Sequence, residues 1–553
     1  MSLPRRALLL DGVLLLLVFA AYRAVLAAAG GPSGIPYWDE YDFLHMAGRL
    51  YETGRFVRSP ETSSLAVVPT YWGVLFVRVA GMSADTLRFS VQALAYAGAV
   101  ALDVWLLGRG LGRWARLIVI GALFGGPLTV GLMNAYTSDV IFVTLQTAAL
   151  LLLLTGLAGQ RLLWLVLGSG AAVLAFGARE IAAALLPGVL AGLWLRRAAA
   201  PAYLAAGGAL VLTLLLYLGL GLHARSGGGA EHIWGALRQT ARVPLSPGHG
   251  LSRLVPQVAY LSVHLLEAAA LNLVPVAVLV ARGLPAAVST RAGDPRGARV
   301  VRGVLVAASA VLAAVDLLRL AGRGAPWWQL GQLVGVPLLV QDPQAASGLP
   351  AVLWPAVVLL ADVSLVVLLG GLAAAAVGRG TRLPALTLAV AAAATVLVMA
   401  LVDSVISRYA VALLAPLAMA LALAIPRPLV GRRTLLAASG CLVTLFAASL
   451  VVYRDYRVTT AALWAGAGGL RDAGVPARSI YAGYEYLGTQ GVFSDRAAAM
   501  QPGESWNEVV MRIDAPYVVA VGALPSGYDE VEARQLDVLP GIRRTIVVGH
   551  ARP

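Results

Sequence analysis

Ala7-Leu8-Leu9-Leu10-Asp11-Gly12-Val13-Leu14-Leu15-Leu16-Leu17-Val18-Phe19-Ala20-Ala21-Tyr22-Arg23-Ala24-Val25-Leu26-Ala27-Ala28 is a nearly unbroken apolar run, and shortly beyond it comes Tyr37-Trp38-Asp39-Glu40-Tyr41. The run is long enough to cross a ~30 Å hydrocarbon core as a helix. Arg5 and Arg6 precede it, which places its start in the cytoplasm. Ala27-Ala28-Ala29 offers a signal-peptide cleavage reading, but the run exceeds the usual ~7–15-residue apolar core of such peptides, so an uncleaved anchor is expected. Either way Gly30 onward lies outside.

The whole chain shares this character. Of 553 residues, 59% are hydrophobic and 13% are charged, against the roughly 25% charge of soluble domains. That excludes a disordered chain and a water-soluble globule, and leaves a membrane protein with many spans. Formal net charge is +14, and the chain carries no lysine, so all 42 basic residues are arginine. High basicity can signal nucleic-acid binding. Here arginines fall between apolar runs, where they orient the spans, and no nucleic-acid partner is expected. The one cysteine, Cys441, lies in an apolar run, which excludes a disulfide or zinc-cysteine framework.

Further spans are expected at 88–108, 116–133, 138–158, 162–178, 181–195, 202–222, 257–281, 302–321, 350–377, 383–402, 408–425 and 434–453, about thirteen with the first. Val67–Met82 contains Pro69 and Arg78, is short, and reads as a helix lying at the interface. Alternation then places Arg109, Arg113, Arg161, Arg196, Arg282, Arg299, Arg382 and Arg432 in cytoplasmic loops, with Asp294 the one clear acid among them. Counting Val67–Met82 as a span would reverse every later loop and break that agreement.

An odd number of spans leaves 454–553 outside. This tail reads as a helix at Thr459–Asp472, a strand at Ser479–Tyr484, a helix at Ser505–Ile513, and strands at Tyr517–Val521 and Thr545–Val548. The expected architecture is an all-α polytopic membrane domain over 1–453, with first outer loop 30–87, and a small extracytoplasmic α/β domain over 454–553.

Acids concentrate on the outer side: Asp39, Glu40, Asp42, Glu52, Glu61, Asp139, Glu180, Glu231, Glu267, Asp342 and Asp403. Asp39 and Glu40 sit between aromatics, and Trp38 and Tyr41 suit the headgroup belt. A carboxylate held there can take a proton from an acceptor as general base. The other reading is a helix start, where acids favour the helix dipole. Asn134-Ala135-Tyr136-Thr137-Ser138-Asp139 is a short outer turn in which Asp139 is either a site residue or, with Ser138, a helix cap. Arg179-Glu180 and Ser407-Arg408-Tyr409 mark two further outer turns. Arginine amid apolar helices suits an anionic phosphate or an internal pair, such as Arg408 with Asp403. The outer loops His223–Pro256 and Gly322–Leu349 hold arginine, histidine, tryptophan and amides that suit sugars and phosphates or interfacial anchoring. No GxxxxGK[ST], GxSxG or HExxH motif occurs.

In this order the pieces resemble the GT-C superfamily of membrane glycosyltransferases, and within it the protein O-mannosyltransferase and lipid A aminoarabinose transferase group (glycosyltransferase family 39-like). Trp38-Asp39-Glu40-Tyr41-Asp42-Phe43-Leu44-His45-Met46-Ala47 parallels that group's acidic opening of the first outer loop. Pro69-Thr70-Tyr71-Trp72 parallels its interfacial helix, Arg88-Phe89 the Arg-Leu that opens its second span, and Asp139 its second outer acid. Ser407-Arg408-Tyr409 resembles a late Arg-Tyr element less specifically. The architecture is covered throughout, but these motifs lie mostly in the first third of the chain. One departure stands out. The aminoarabinose transferases carry Phe-Glu-Lys-Pro-Pro before the interfacial helix, where this chain has Ser64-Leu65-Ala66-Val67-Val68-Pro69.

The resemblance implies an inverting transferase in a bacterial inner membrane, N-terminus cytoplasmic. It would move a monosaccharide from a polyprenyl-phosphate donor to an extracytoplasmic glycan, lipid or protein acceptor. Asp39, with Glu40 either reacting or orienting the loop, would form the catalytic pair. Asp139, Arg179, Arg408, Tyr409 and Trp38 would bind substrate. No cofactor is required; an acid pair such as Asp39 and Asp139 leaves a divalent metal open without favouring one. The rivals are a flippase of lipid-linked sugars, for which Asp103 and Asp362 within spans speak, and a non-catalytic scaffold.

Overall fold

The computed structural model describes residues 5–30, 34–59, 62, 64–225, 251–289, 295–320, 354–378, 380–400, 407–426, 430–499, 513–539 and 542–552. The first run is a single helix, α1 (Arg5–Ala29), which leaves Leu9, Leu10, Leu16 and Leu17 exposed, as a lipid-facing helix does. After the segment around Gly30 comes α2 (Glu40–Thr53), then α3 (Val67–Ala80), then α4 (Ala84–Gly108). The fourteen residues of α3 rise about 21 Å, short of a ~30 Å core. That is the length the interfacial reading needs. Trp72 of α3 donates its Nε1–H to the Ser90 carbonyl of α4 at 2.9 Å, so the short helix lies along α4.

The next helix, α5 (Arg113–Gly125), stops well before the expected end of its span at 133. The cause is local. Gly125-Gly126-Pro127 ends the helix, and Asn272 holds the ending in place. Its buried amide accepts the Leu128 N–H at 2.9 Å and donates to the Ala122 carbonyl at 2.5 Å. It stands so close to Gly126 that a side chain there would overlap it. The bundle continues with α6 (Ser138–Gly159), α7 (Leu162–Ala178), α8 (Leu185–Arg196) and α9 (Ala200–Arg225). Then come α10 (Leu251–Asn272), α11 (Val274–Ala281), α12 (Leu284–Val288), α13 (Pro295–Leu320), α14 (Trp354–Val377), α15 (Arg382–Ala400) and α16 (Val411–Ala424).

Among the described residues seven helices are long and apolar enough to cross a membrane. The pair Leu261–Asn272 and Val274–Ala281, bent by 79°, makes an eighth if it is one broken span and not a re-entrant loop. The expected count of thirteen is therefore not reproduced. The run at 162–178 is a helix with those bounds, only 17 residues long, and those at 181–195 and 408–425 become shorter helices, because an apolar composition does not forbid a 3-10 turn or an irregular end. Leu185–Arg196, for instance, is preceded by the 3-10 segment Glu180–Ala184.

The last apolar run does not stop at 453. It continues as α17 (Arg432–Asp472), 41 residues without a break, so the expected helix at Thr459–Asp472 is its far half. A rise of about 60 Å is twice the hydrocarbon core. The projecting part carries a four-stranded sheet, order β1-β2-β4-β3. β1 (Ile480–Tyr481) pairs parallel with β2 (Tyr517–Val521), β2 antiparallel with β4 (Ile542–Ala551), and β4 antiparallel with β3 (Tyr528–Leu539). The strand expected at Ser479–Tyr484 shrinks to two residues, because Gly483 at φ 94° turns the chain into α18 (Tyr484–Thr489), followed by α19 (Val492–Ala499). The expected helix at Ser505–Ile513 falls almost entirely outside the described residues. Ala462, Leu463 and Ala467 of α17 bury against Ile480, Val519, Ile546 and Val548, which seats the sheet on the helix.

Candidate active site

The turn between Tyr37 and Glu40 is built from both sides. Glu40 is fully buried, and its carboxylate accepts four hydrogen bonds. Arg88 of α4 supplies two of them, at 2.8 and 2.7 Å, in the forked geometry guanidinium favours. The backbone N–H groups of Tyr37 and Tyr136 supply the others, both at 2.8 Å. One side chain thus ties the start of α2 to α4 and to the turn before α6. Arg457 of α17 completes the frame by donating to the carbonyls of Gly30 (2.7 Å), Ile35 (2.9 Å) and Pro36 (3.2 Å). Tyr37 packs against Tyr453 and Tyr456, ring centroids 5.7 and 5.1 Å away.

Asp39 sits between these anchors, half-buried, at the N-cap position of α2. Its side chain does not close the capping hydrogen bond, and with Glu40 and Asp42 it lies at the start of α2, where acids favour the helix dipole. Trp38, just before it, has φ 55°, a left-handed conformation that costs a bulky residue about 1–3 kcal/mol. The Trp38 ring stacks on Tyr484 of α18, centroids 5.0 Å apart. Its backbone N–H donates to the buried carboxyl of Glu485. Burial pushes that carboxyl up to about 7, with the nearby Asp39 charge adding to the shift and the backbone donors opposing it.

A second cluster lies on α6, α7 and the turns around them. Asp139, fully buried in the first turn of α6, is met by Arg179 at 2.7 Å. The contact is an ion pair, not an aligned hydrogen bond, and it leaves the hydrogen-bonding capacity of both Asp139 oxygens unfilled. Arg179 Nε donates to Ser138 Oγ at 2.9 Å, and the guanidinium lies over the Tyr409 ring at 5.3 Å. The capping alternative for Ser138 and Asp139 fails, since Thr137 holds the N-cap position and neither side chain caps. Asp139, Arg179 and Tyr409 are thus brought together, while Trp38, Asp39 and Glu40 form the other group. Glu40 joins the two through Tyr136. Arg408 lies in the 3-10 turn Ser407–Ala410, with its side chain, like Asp403, outside what is described. The loop positions expected to touch sugars fall at 226–250 and 321–353, also outside it.

Among the described residues no group of three or more His, Cys, Asp or Glu side chains is placed to hold a metal ion. A guanidinium already stands where a cation on Asp139 would. Two acids within spans bear on transport. Asp103 is paired with Arg116 at 2.7 Å inside a closed network that includes Asp11 and Arg113. Asp362 stands against Glu267 and Asp316, from α14, α10 and α13.

The sequence reading missed Arg88 as the partner of Glu40, Arg457, and Glu485. For Glu485 a signal exists: Tyr484-Glu485-Tyr486 sets an acid between aromatics as Trp38-Asp39-Glu40-Tyr41 does.

No protein-family model matches the chain, and no curated protein does. Among solved structures it is similar to ArnT from Cupriavidus metallidurans bound to undecaprenyl phosphate, at 12% identity and TM-score 0.46, over 96% of this chain and 97% of that one. The apo state of that ArnT is similar at 14% identity and TM-score 0.39, over the same shares.

Proposed function

We propose that this protein is an inverting membrane glycosyltransferase that moves a monosaccharide from a polyprenyl-phosphate donor to an extracytoplasmic acceptor. One observation carries the reading. Asp39 is a half-buried carboxylate on a turn whose two neighbours are each pinned, with Glu40 saturated by four donors and Trp38 held in a left-handed conformation. Strain held in place by its surroundings is characteristic of functional turns. It keeps a base aimed.

In this mechanism Asp39 takes the proton from the acceptor hydroxyl or amine as that group attacks the anomeric carbon. The bond from that carbon to the lipid phosphate breaks, the phosphate leaves with the electron pair, and configuration inverts. Glu40 positions the turn and does not react, since its acceptor sites are filled. Arg179 stabilises the charge developing on the phosphate, as preorganised cations do. Arg408 adds to it from the neighbouring turn, and Trp38 and Tyr409 contact the sugar. Asp139 offers its unfilled acceptor capacity to a sugar hydroxyl. Phosphate charge met by arginine needs no metal. The lipid chain of the donor lies against the membrane helices, and the N-terminus faces the cytoplasm of a bacterial inner membrane. The closed Asp103–Arg116 pair removes one support for transport, because a charge locked between helices is not a carrier group.

The test is transfer of label from a panel of polyprenyl-phosphate sugars by the full chain in membranes, beside Asp39→Asn. Loss of at least 100-fold is expected. Full activity in Asp39→Asn would remove the base assignment. Label that crosses the bilayer while still attached to lipid would make the protein a transporter.

A further inference from the structure

The C-terminal domain meets the Asp39 turn through α18, and three features converge there. Glu485 is 2% exposed and accepts the backbone N–H of Trp38. Tyr484 stacks on the Trp38 ring, accepts a long hydrogen bond from the Tyr41 hydroxyl at 3.4 Å, and lies against Phe493, centroids 4.9 Å apart. Gly488 presses its bare backbone onto the Tyr41 ring, where a methyl group would overlap it. These contacts sit on the residues flanking Asp39, and the bond to Trp38 falls where the backbone is in its least favourable conformation.

We propose that Glu485 is a positioning residue for Asp39, so that the C-terminal domain completes the active site by locking the Trp38 turn from outside while Glu40 locks it from inside. This rests on the proposed role of Asp39, but the lock itself can be read without any transfer. Trp38 in the left-handed region relaxes unless something holds it. On the bundle side the chain is held at Tyr37, one residue before Trp38, and at Glu40, two residues after it. The Trp38 amide itself donates to Glu485. Relaxation of that residue re-aims the carboxylate that follows it. The domain therefore sets the direction in which Asp39 faces, not merely the stability of the outer surface.

The experiment uses the full chain in lipid nanodiscs, with Glu485→Gln and Glu485→Ala. Hydrogen exchange of the amides at residues 37–41 is read by mass spectrometry, and turnover with whichever polyprenyl-phosphate sugar the wild type uses. The amide oxygen of glutamine still accepts the Trp38 N–H, so Glu485→Gln should keep exchange near wild type and turnover within about threefold. Glu485→Ala should speed exchange at 37–41 by tenfold or more. It should lower kcat about as much while the donor KM moves less than twofold, with exchange in Ala462–Ala467 unchanged. If both variants match wild type in exchange and kcat, the proposal is wrong. It is equally wrong if glutamine fails to rescue, or if exchange rises throughout the C-terminal domain. A Gly488→Ala variant forces α18 off Tyr41 without touching Glu485 and should reproduce the alanine result; wild-type exchange at 37–41 in that variant would overturn the role of domain docking. Asp39→Asn keeps the two readings apart: full transfer with slow exchange at 37–41 would remove Asp39 as base and leave the lock standing.

Discussion

Both ends of the membrane bundle bury charge, and they use it differently. Near the start of α1, Asp11, Asp103, Arg113 and Arg116 answer one another across α1, α4 and α5. Arg116 donates to Asp103 at 2.7 Å and to the Leu111 carbonyl at 2.9 Å, and every charge in the set faces an opposite one. At the other end Glu40 spends half its hydrogen bonds on backbone amides, Arg457 spends its own on carbonyls, and Glu485 holds Trp38. The first end clips regular helices together. The second fixes irregular chain that no helix ladder supports. Buried pairs give little net stability against well-packed apolar groups, yet removing one partner is costly. The two ends should therefore both resist truncation of a partner, but only one should lose chemistry.

Glu40→Ala is the most damaging change expected. It removes the buried carboxylate that Arg88 faces, leaving that guanidinium Asp85 and the Ile35 carbonyl, costs about 3–5 kcal/mol, and frees the Tyr37 and Tyr136 amides. Thermal unfolding should show the loss, and the protein that remains folded should have lost transfer at least 100-fold; retained turnover would erase the contrast. Arg116→Leu leaves Asp103 unpaired but keeps Arg113 on Asp11. A loss of about 3 kcal/mol is expected, with turnover per folded molecule unchanged. A fall in kcat would mean that this network reaches the site.

Glu485 gives a pH signature. Its carboxyl titrates near 7 in the folded protein, against the usual 4.5, so the folded state binds the proton more tightly. The stability this contributes is complete below about pH 4.5 and is lost as pH rises through about 7, roughly 3 kcal/mol at most. Unfolding of the C-terminal domain should follow that slope in wild type and lose it in Glu485→Gln. An identical slope in both would assign it elsewhere. Tyr136→Phe is the mildest change: it removes a 2.6 Å hydrogen bond to the Pro69 carbonyl, worth about 1 kcal/mol. A shift well above that would make the tie between α3 and the Tyr136 turn a principal support of the site.

Much of the membrane domain was legible because apolar runs report burial directly. The ends of those runs were not. Nothing in 116–133 says that Asn272, far along the chain, will hold the helix ending at Gly125. β3 escaped because Asp529, Glu530, Glu532, Arg534 and Gln535 give an edge strand without an apolar face. The site was half legible. Trp38, Asp39 and Glu40 announce themselves by composition. The pairing of Asp139 with Arg179 is a contact between helices, and the hold of Glu485 on Trp38 joins residues at opposite ends of the chain. Neither has a local trace.

The 41-residue α17 crosses the bundle and carries the sheet without a joint. Such a helix behaves as a stiff rod about 60 Å long, so a tilt of about 5° in the membrane displaces its far end by roughly 5 Å. That exceeds the length of any hydrogen bond between α18 and the Asp39 turn. Under the function proposed above, bilayer thickness then controls turnover, which should pass through an optimum across nanodiscs of graded acyl-chain length. A flat response would show that the rod is clamped before it reaches the turn.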